Sequence, residues 1–337
     1  MMRAAVLYDV GDIRVEERAV PQIGEGELLV RTRACGICSG DVMAWYVRRK
    51  APIVFGHEPA GDVIAVGAGK PPRDDSGRAF AVGDRVFVHH HAPCFGCGAC
   101  ERGEYVQCER WRASALDPGG MAEYFRVPRA NVRDTLRLPE SVSYEDASLV
   151  EPLACVVKSL RRSGVRTGDR VLVIGLGVMG QLHLLAARHA GARAVGSDFL
   201  ETRRALAARN GAEIVSPDAA GEDADVVICG PGTSAALHAA IAAVRPGGTV
   251  VMFTPFDPAD AMTIDAERFY FKDLRLVASY SCGPDDTKAA LALIADGVVS
   301  TGRVGAVPFE LEAVAEAHRA LAESRVVKPI VTFGEAP

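Results

Sequence analysis

The pattern of hydrophobic and polar positions changes about 145 residues into the chain. Before that point, short strand-like runs are separated by turns rich in Gly, Pro and Asp, which is typical of an irregular, mainly β domain. The strands predicted there are Ala4–Tyr8, Glu27–Thr32, Gly61–Val66 and Arg85–His89.

From Asp169 onward, apolar strands alternate with helices. This alternation predicts an α/β fold with a doubly wound parallel sheet. Pro246–Gly248 is expected to stop the third of these helices. The predicted elements are strand Arg170–Ile174, helix Gln181–Ala190, strand Ala194–Ser197, helix Glu201–Asn210, strand Asp225–Cys229, helix Ala235–Val244 and strand Thr249–Thr254. The tail then gives helix Asp286–Asp296, helix Leu311–Ser324 and strand Lys328–Phe333.

Length and composition narrow the class of protein. A chain of 337 residues fits two domains, and hydrophobic residues make up 49% of it, as in ordinary globular proteins. A net charge of -5 gives no reason to expect a nucleic-acid partner or an anionic membrane surface. The chain shows neither a signal-peptide pattern nor an apolar stretch long enough to span a membrane, so we expect a cytoplasmic protein.

A glycine fingerprint follows the first strand of the alternating region. Gly175, Gly177 and Gly180 form G-x-G-x-x-G, with Val178 and Met179 beginning the next helix. The first two glycines permit a tight turn and close approach to a pyrophosphate, and the third permits close helix–strand packing. Asp198 ends the second strand, where a carboxylate would accept the adenosine ribose hydroxyls. Together they predict a dinucleotide site that favours NAD over NADP, a preference that Arg203 and Arg204 could soften.

Four of the nine cysteines lie close together, at Cys94, Cys97, Cys100 and Cys108. Four thiolates in one short loop suit a tetrahedral zinc ion with no open position, so we predict a structural zinc lobe at about residues 92–110. An iron–sulfur cluster or redox-active thiols are the alternatives. His89, His90 and His91, just before this lobe, alternate along a strand end and are not taken as ligands.

A second set of metal-binding residue types is spread more widely. It consists of Cys38 in Ala34–Asp41, His57 and Glu58 in Gly56–Gly61, and Glu151 before Pro152. Each residue alone is weak support for a metal site. With the fingerprint and the cysteine lobe, the set resembles the zinc-containing medium-chain dehydrogenases, specifically the polyol (sorbitol) and threonine dehydrogenase branch, along essentially the whole chain.

This resemblance implies a Rossmann domain, at 149–284, inserted in a GroES-like, mainly β catalytic domain formed by 1–148 and 285–337. It also implies two zinc ions per chain, with Cys38, His57 and Glu58 binding the catalytic one. Glu151 would bind that zinc directly or through water, and Asp41 would orient His57, because a ligating imidazole needs its other N–H held. Cys35 is interpreted as a neighbour rather than a ligand. A homo-oligomer, either tetramer or dimer, is expected.

The implied reaction is hydride transfer between an alcohol and NAD, with zinc lowering the pKa of the bound hydroxyl. The family usually carries Ser or Thr two residues after the ligand cysteine to pass on the proton. Here that position is Gly40, and the hydroxyl stands one residue earlier, at Ser39. Our hypothesis is that water, a polar substrate or Glu151 carries the proton, which a pH–rate profile of Ser39→Ala tests.

The acidic metal shell favours a hydroxylated secondary alcohol as substrate, such as a polyol, sugar, cyclitol or amino alcohol. Trp45 and Tyr46 are candidates to line the substrate site. One alternative is a zinc dehydrogenase or reductase of a simple alcohol or aldehyde. A non-enzymatic structural or redox-sensing zinc protein is another alternative, which retention of both metal sets and the fingerprint disfavours.

Overall fold

The computed structural model describes residues 1–217 and 221–334. The chain forms two compact units. Unit 1 consists of Met1–Pro152 and Cys282–Pro337, and unit 2 of Leu153–Ser281.

Sixteen strands are defined in the described part of the chain. They are β1 Met2–Asp9, β2 Asp12–Arg18, β3 Leu28–Gly36, β4 Ile53–Val54, β5 Pro59–Val66, β6 Arg85–Val88, β7 Tyr124–Val127, β8 Thr135–Arg137, β9 Arg170–Ile174, β10 Arg193–Ser197, β11 Glu213–Ile214, β12 Ala224–Cys229, β13 Val244–Met252, β14 Arg275–Ala278, β15 Ala306–Glu310 and β16 Lys328–Thr332.

The same residues form thirteen α-helices. They are α1 Ala44–Val47, α2 Gly98–Glu101, α3 Glu109–Ala113, α4 Arg129–Val132, α5 Tyr144–Ala147, α6 Val150–Ser163, α7 Val178–His189, α8 Glu201–Arg209, α9 Ser234–Ala243, α10 Ala266–Phe271, α11 Pro284–Ala295, α12 Thr301–Val304 and α13 Val314–Ala322. Short 3₁₀ helices lie at Ser39–Val42, Tyr105–Gln107 and Leu311–Ala313. Among the described residues, no helix is long and apolar enough to cross a membrane.

Unit 1 is built on a mainly antiparallel sheet in the order β15-β16-β3-β5-β6-β8, with β7 also on β3. Strand β16, from the end of the chain, pairs antiparallel with β3. The tail therefore completes the sheet of the N-terminal unit. Buried apolar residues from distant segments, including Ile37, Phe55 and Val331, share one core cluster beneath this sheet. The cluster fixes the segments that precede Cys38 and His57.

Unit 2 contains one parallel sheet in the order β11-β10-β9-β12-β13-β14. Strands β10 and β11 extend the sheet on one side of β9 and strands β12 to β14 on the other, and such folds bind ligands at the carboxyl ends of the strands where the order switches. The glycine fingerprint follows β9 and Asp198 follows β10. The predicted α/β class is confirmed.

One predicted boundary in unit 2 is wrong in an informative way. Strand β13 begins at Val244 and not at Thr249, so Pro246–Gly248 lies inside a strand. The pairing with β12 jumps from Ala224↔Val244 to Val226↔Thr249, which is a bulge. Gly247 has φ +75°, a conformation that glycine adopts without strain. Because a bulge takes up the extra residues, the Pro-Gly-Gly sequence does not end the strand.

Candidate active site and metal sites

Cys38, His57 and Glu58 converge in unit 1 because their strands pair. Cys38 follows β3 by two residues, and His57 and Glu58 immediately precede β5. Strands β3 and β5 are antiparallel partners with Cys35 opposite Pro59, so the end of one lies beside the start of the other. One ligand atom from each of the three residues lies within 4.8 Å of the other two. The three predicted catalytic zinc ligands are thus brought together.

The surroundings of Glu58 fit a metal ion. Its side chain is fully buried, and Oε2 is paired with the ammonium group of Lys328, which is also buried. Oε1 has no hydrogen-bond partner. A buried carboxylate oxygen left without a partner is costly unless a cation meets it, and a thiol, an imidazole and a carboxylate are the donor types that zinc takes. Lys328 was not predicted from the sequence.

His57 and Asp41 lie within electrostatic reach of each other. Burial lowers the pKa of His57, but Cys38, Asp41 and Glu151 act against it and raise that pKa well above its usual value. Asp41 is buried and its Oδ2 accepts the backbone N–H of Cys38 at 3.2 Å, capping the 3₁₀ helix Ser39–Val42. The observed hydrogen bond of Asp41 therefore fixes the ligand loop itself.

Glu151 lies in the first turn of α6 and is buried, but its carboxylate is not in the tight set with Cys38, His57 and Glu58. Its Oε1 lies 4.0 Å from the Sγ of Cys282. Cys282 Sγ is in turn 3.6 Å from Nε2 of His89, whose Nδ1 is 2.7 Å from Asp134. Four buried polar groups therefore form a continuous line, which sequence reasoning did not find.

The three adjacent histidines face three different neighbours. His89 lies in the line just described, the ring of His90 lies 4.9 Å from that of His57, and the ring of His91 lies 4.3 Å from Trp111. Strand β6 ends at Val88, so the three histidines lie after it, and the ring of His90 is 4.1 Å from that of His91; the predicted alternation along a strand end is not observed. Burial lowers the pKa of His91 to about 4, so this imidazole is neutral at pH 7.

The four-cysteine lobe has the dimensions of a zinc site. Sγ atoms of Cys94, Cys97, Cys100 and Cys108 all lie within 4.8 Å of one another. Two of the separations are 3.9 and 3.6 Å. A regular tetrahedron with zinc–sulfur bonds of ~2.3 Å requires edges of about 3.8 Å. Although burial raises it, backbone N–H groups of Cys94 and Trp111 lower the pKa of Cys108 to about 6, which favours the thiolate.

The glycine loop of unit 2 has the geometry that the fingerprint predicts. Gly175 has φ +88°, and a Cβ on Gly180 would lie 2.1 Å from the carbonyl oxygen of Gly175. Gly177 caps α7, whose first residues are Val178 and Met179, and a Cβ there would meet only Arg203, at 4.0 Å. Gly180 is therefore required for packing, whereas Gly177 leaves open space in front of the helix N-terminus.

Asp198 ties this loop to the end of β10. Its Oδ2 accepts the N–H of Leu176 at 2.6 Å and its Oδ1 that of Leu200 at 2.8 Å. Arg203 lies 3.6 Å from the same carboxylate. Asp198, the predicted ribose-binding acid, and Arg203 thus form one pair. The negative charge of Asp198 would repel the 2′-phosphate of NADP, whereas the positive charge of Arg203 would attract it.

Known proteins are similar to this chain in sequence and in fold. The family described as alcohol dehydrogenase GroES-like domain matches residues 24–140, and the family described as zinc-binding dehydrogenase matches residues 178–296. D-xylulose reductase A of Aspergillus niger is 30% identical, with 97% of this chain and 95% of that protein aligned. Sorbitol dehydrogenase of Bacillus subtilis is 33% identical over 74% of each chain. A Sinorhizobium meliloti structure described as a zinc-binding dehydrogenase bound to NADP superposes with a TM-score of 0.86 at 28% identity, covering 99% of each chain.

Fold and sites together define a zinc-dependent alcohol dehydrogenase that uses a nicotinamide dinucleotide. The chain belongs to the zinc-containing medium-chain dehydrogenase/reductase family, in its polyol dehydrogenase branch. The resemblance seen in the sequence motifs is confirmed.

Proposed function

We propose that this enzyme interconverts a polyhydroxylated secondary alcohol and its ketone, with NAD as the hydride carrier. The observation that carries the proposal is the buried, unpartnered Oε1 of Glu58 beside Cys38 and His57. The names of the relatives that act on D-xylulose and sorbitol support the substrate class.

In this proposal Cys38, His57 and Glu58 hold the catalytic zinc, and Cys94, Cys97, Cys100 and Cys108 hold the structural zinc. Bound zinc would supply Lewis-acid polarisation of the substrate oxygen, and bound nicotinamide would take the hydride. Asp41 fixes the Cys38 loop by accepting its N–H. Glu151 acts as an outer partner of the zinc set, because it reaches that set electrostatically without joining the close cluster.

In unit 2, Gly175, Gly177, Val178, Met179 and Gly180 would cradle the pyrophosphate. The carboxylate of Asp198 would accept hydrogen bonds from the adenosine ribose and repel a 2′-phosphate. Arg203 weakens that repulsion, so we expect a preference for NAD rather than an absolute requirement. The cytoplasmic location and the homo-oligomeric state are both predictions from the sequence. Light scattering of the purified protein would test the oligomeric state.

The test is a panel of substrates followed by NADH absorbance with the zinc-loaded enzyme. Sorbitol, myo-inositol, L-threonine and 2-propanol are oxidised with NAD and with NADP, and D-xylulose is reduced with NADH. We expect the highest kcat/KM on a polyhydroxylated substrate and a higher value with NAD than with NADP. Faster turnover of 2-propanol than of every polyol would contradict the substrate class, and no turnover of any alcohol would contradict the proposed function.

A further inference from the structure

Proton balance requires a group beside the catalytic set that accepts a proton. If the enzyme oxidises an alcohol as proposed above, two electrons and one hydrogen leave the carbinol carbon as hydride, and the hydroxyl proton must leave separately. The acceptor must lie beside the catalytic set and connect to solvent. The further inference therefore rests on the proposed function and concerns the exit of this proton.

Gly40, which has no side chain, lies beside the sulfur atom of Cys38. A Cβ built on Gly40 would lie 3.6 Å from Sγ of Cys38 and 3.6 Å from Cε1 of Tyr46. The aromatic ring of Tyr46 therefore packs over Gly40, next to the ligand cysteine. A side chain longer than alanine at position 40 would project into the space between the sulfur and the ring.

Tyr46 connects this inner position to the surface. It lies in α1 and donates its backbone N–H to Met43 at 2.9 Å. Lys50 stands four residues later, with Nζ 3.8 Å from the centre of the Tyr46 ring, and donates a hydrogen bond to the phenolic oxygen. Tyr46 is half-buried and Lys50 is exposed, so the pair leads from the site toward solvent.

The charges around the phenol come from the catalytic set. Burial raises the pKa of Tyr46; His57 lowers it, and Cys38, Asp41 and Glu151 raise it further. The ammonium group of Lys50 donates a hydrogen bond to the same hydroxyl. The ordinary pKa of a tyrosine phenol is about 10, so Tyr46 keeps its proton at neutral pH and can receive one proton only while passing on its own.

We propose that Tyr46, supported by Lys50, is the hydroxyl that carries the substrate proton out of the active site. In alcohol oxidation the substrate O–H bond breaks and its proton forms a new O–H bond at Tyr46 Oη. Lys50 Nζ first gives a proton to bulk water, and the neutral amine then accepts the original phenolic proton, which restores the ammonium group. One proton is released, two electrons leave with the hydride, and both side chains return to their starting state.

The other polar line that begins near the site does not offer such an exit. It runs from Glu151 through Cys282 and His89 to Asp134, and all four residues are buried. In contrast, the pair formed by Tyr46 and Lys50 ends at an exposed ammonium group.

The experiment compares Tyr46→Phe, Lys50→Met and Ser39→Ala with the wild type across pH 6–10, using the alcohol that the wild type oxidises fastest. Tyr46→Phe keeps the ring over Gly40 and removes only the hydroxyl. We expect its kcat at pH 7 to fall about 100-fold, in the range typical of a lost proton-transfer group, and to recover as hydroxide takes over at high pH. Lys50→Met should show a smaller loss with the same pH trend.

Tyr8→Phe is the matched control, because it also removes one tyrosine hydroxyl from unit 1, bonded there to Glu16. It should retain the wild-type kcat and pH profile, and all variants should retain two zinc ions per chain. A kcat for Tyr46→Phe within twofold of wild type with an unchanged pH profile would overturn the proposal. A loss of kcat at pH 7 that recovers at high pH in Ser39→Ala, and in no other variant, would also overturn the proposal.

A second readout does not depend on turnover. With tyrosine labelled by ¹³C at Cζ, the signal missing in Tyr46→Phe identifies Tyr46 among the seven tyrosines. We expect this signal to shift in Lys50→Met and the Tyr8 signal to stay unchanged; an unmoved Tyr46 signal counts against the path. An inactive wild type would contradict the proposed function, whereas an active wild type with an active Tyr46→Phe variant contradicts this inference alone.

Discussion

Lys328 and Glu58 are 270 residues apart in the chain, and both are buried where they meet. The ammonium group of Lys328 also donates to the carbonyl of Ile37 at 3.0 Å, one residue before Cys38. Burial raises the pKa of Glu58, and the charges of Lys328 and His57 work against that rise. Lys328 thus keeps one carboxylate oxygen occupied while the other is left for a metal, and it also holds the backbone of the ligand loop.

Replacing Lys328 by Met tests this contact. Removing one partner of a buried ion pair leaves an uncompensated charge, so we expect the free energy of unfolding to fall by about 3 kcal/mol. Equilibrium urea titration of the zinc-loaded protein measures the change. When both proteins are measured without zinc, Glu58→Gln in the same background should recover part of the loss, because it then removes the unpaired charge without removing a bound metal ion. A loss below about 1 kcal/mol in Lys328→Met would mean that solvent or zinc compensates Glu58 without the lysine.

At the scale of elements, two short loops have local geometries that their own residues dictate. The glycine loop between β9 and α7 must turn tightly, and the four-cysteine loop folds around its sulfur atoms with Trp111 and Val106 packed against them. The glycine loop is also held by Asp198, which accepts the N–H of Leu176. Point variants within each loop should therefore affect folding stability, NADH binding or zinc content separately.

The glycines of the fingerprint should give two different phenotypes. Gly180→Ala places a Cβ against the Gly175 carbonyl, and such overpacking typically costs ~1–3 kcal/mol, so we expect lower stability of unit 2. Gly177→Ala meets nothing closer than 4.0 Å and should fold normally. Its added methyl group would stand where the pyrophosphate approaches, so NADH binding, measured by fluorescence titration, should weaken. Equal loss of stability in both variants would contradict this division.

The cysteine lobe should lose its metal independently of the catalytic set. Cys108→Ser removes one of four thiolates, and we expect zinc content, measured by mass spectrometry, to fall from two ions per chain to one. Limited proteolysis should then cut within residues 92–110. Cys35→Ala is the control, since Cys35 is buried in the β3 core and lies outside both metal sets. Two zinc ions retained in Cys108→Ser would show that the lobe does not need this thiolate.

At the scale of the whole molecule, stability should depend on pH through buried histidines. His183 lies in α7, fully enclosed, with its ring nitrogens 2.6 Å from Ser159 Oγ and 2.7 Å from the Met179 carbonyl. Burial lowers its pKa to about 4, although the Met179 carbonyl acts in the opposite direction. The folded protein therefore keeps His183 neutral in a pH range where the unfolded chain binds a proton.

Below an unfolded pKa of about 6.5, each step down in pH should favour the unfolded state until the folded pKa near 4 is reached. We expect His183 to account for about 2 kcal/mol of lost stability at pH 5 relative to pH 8. His183→Gln should flatten the dependence of unfolding free energy on pH, measured by urea titration at several pH values. His189→Gln, an exposed histidine in the same helix, should leave the dependence unchanged; an equal flattening there would contradict the assignment.

Much of the fold could be predicted because its signals are local. The strand Arg170–Ile174 was predicted at its observed bounds, and the three helices predicted in unit 2 differ from α7, α8 and α9 by only a few residues at their ends; α6 and α10 were not predicted. The periodicity of hydrophobic residues, the positions of glycines and the spacing of cysteines are set by residues close together in the chain. They can therefore be recognised without the tertiary structure. Short strands such as β2, β8 and β15 were missed, because three to seven residues carry too weak a period to be recognised.

The sequence by itself determined the two-part organisation, the dinucleotide loop and the four-sulfur lobe, since each is written in residues close together in the chain. It also indicated Cys38, His57, Glu58 and Glu151, but only as a set matching a family. Tertiary structure decided which of these converge, leaving Glu151 outside the close cluster beside Cys282. It also revealed Lys328 under Glu58 and the ring of Tyr46 over Gly40. Strand pairing and core packing set those contacts, and neither can be read from sequence spacing.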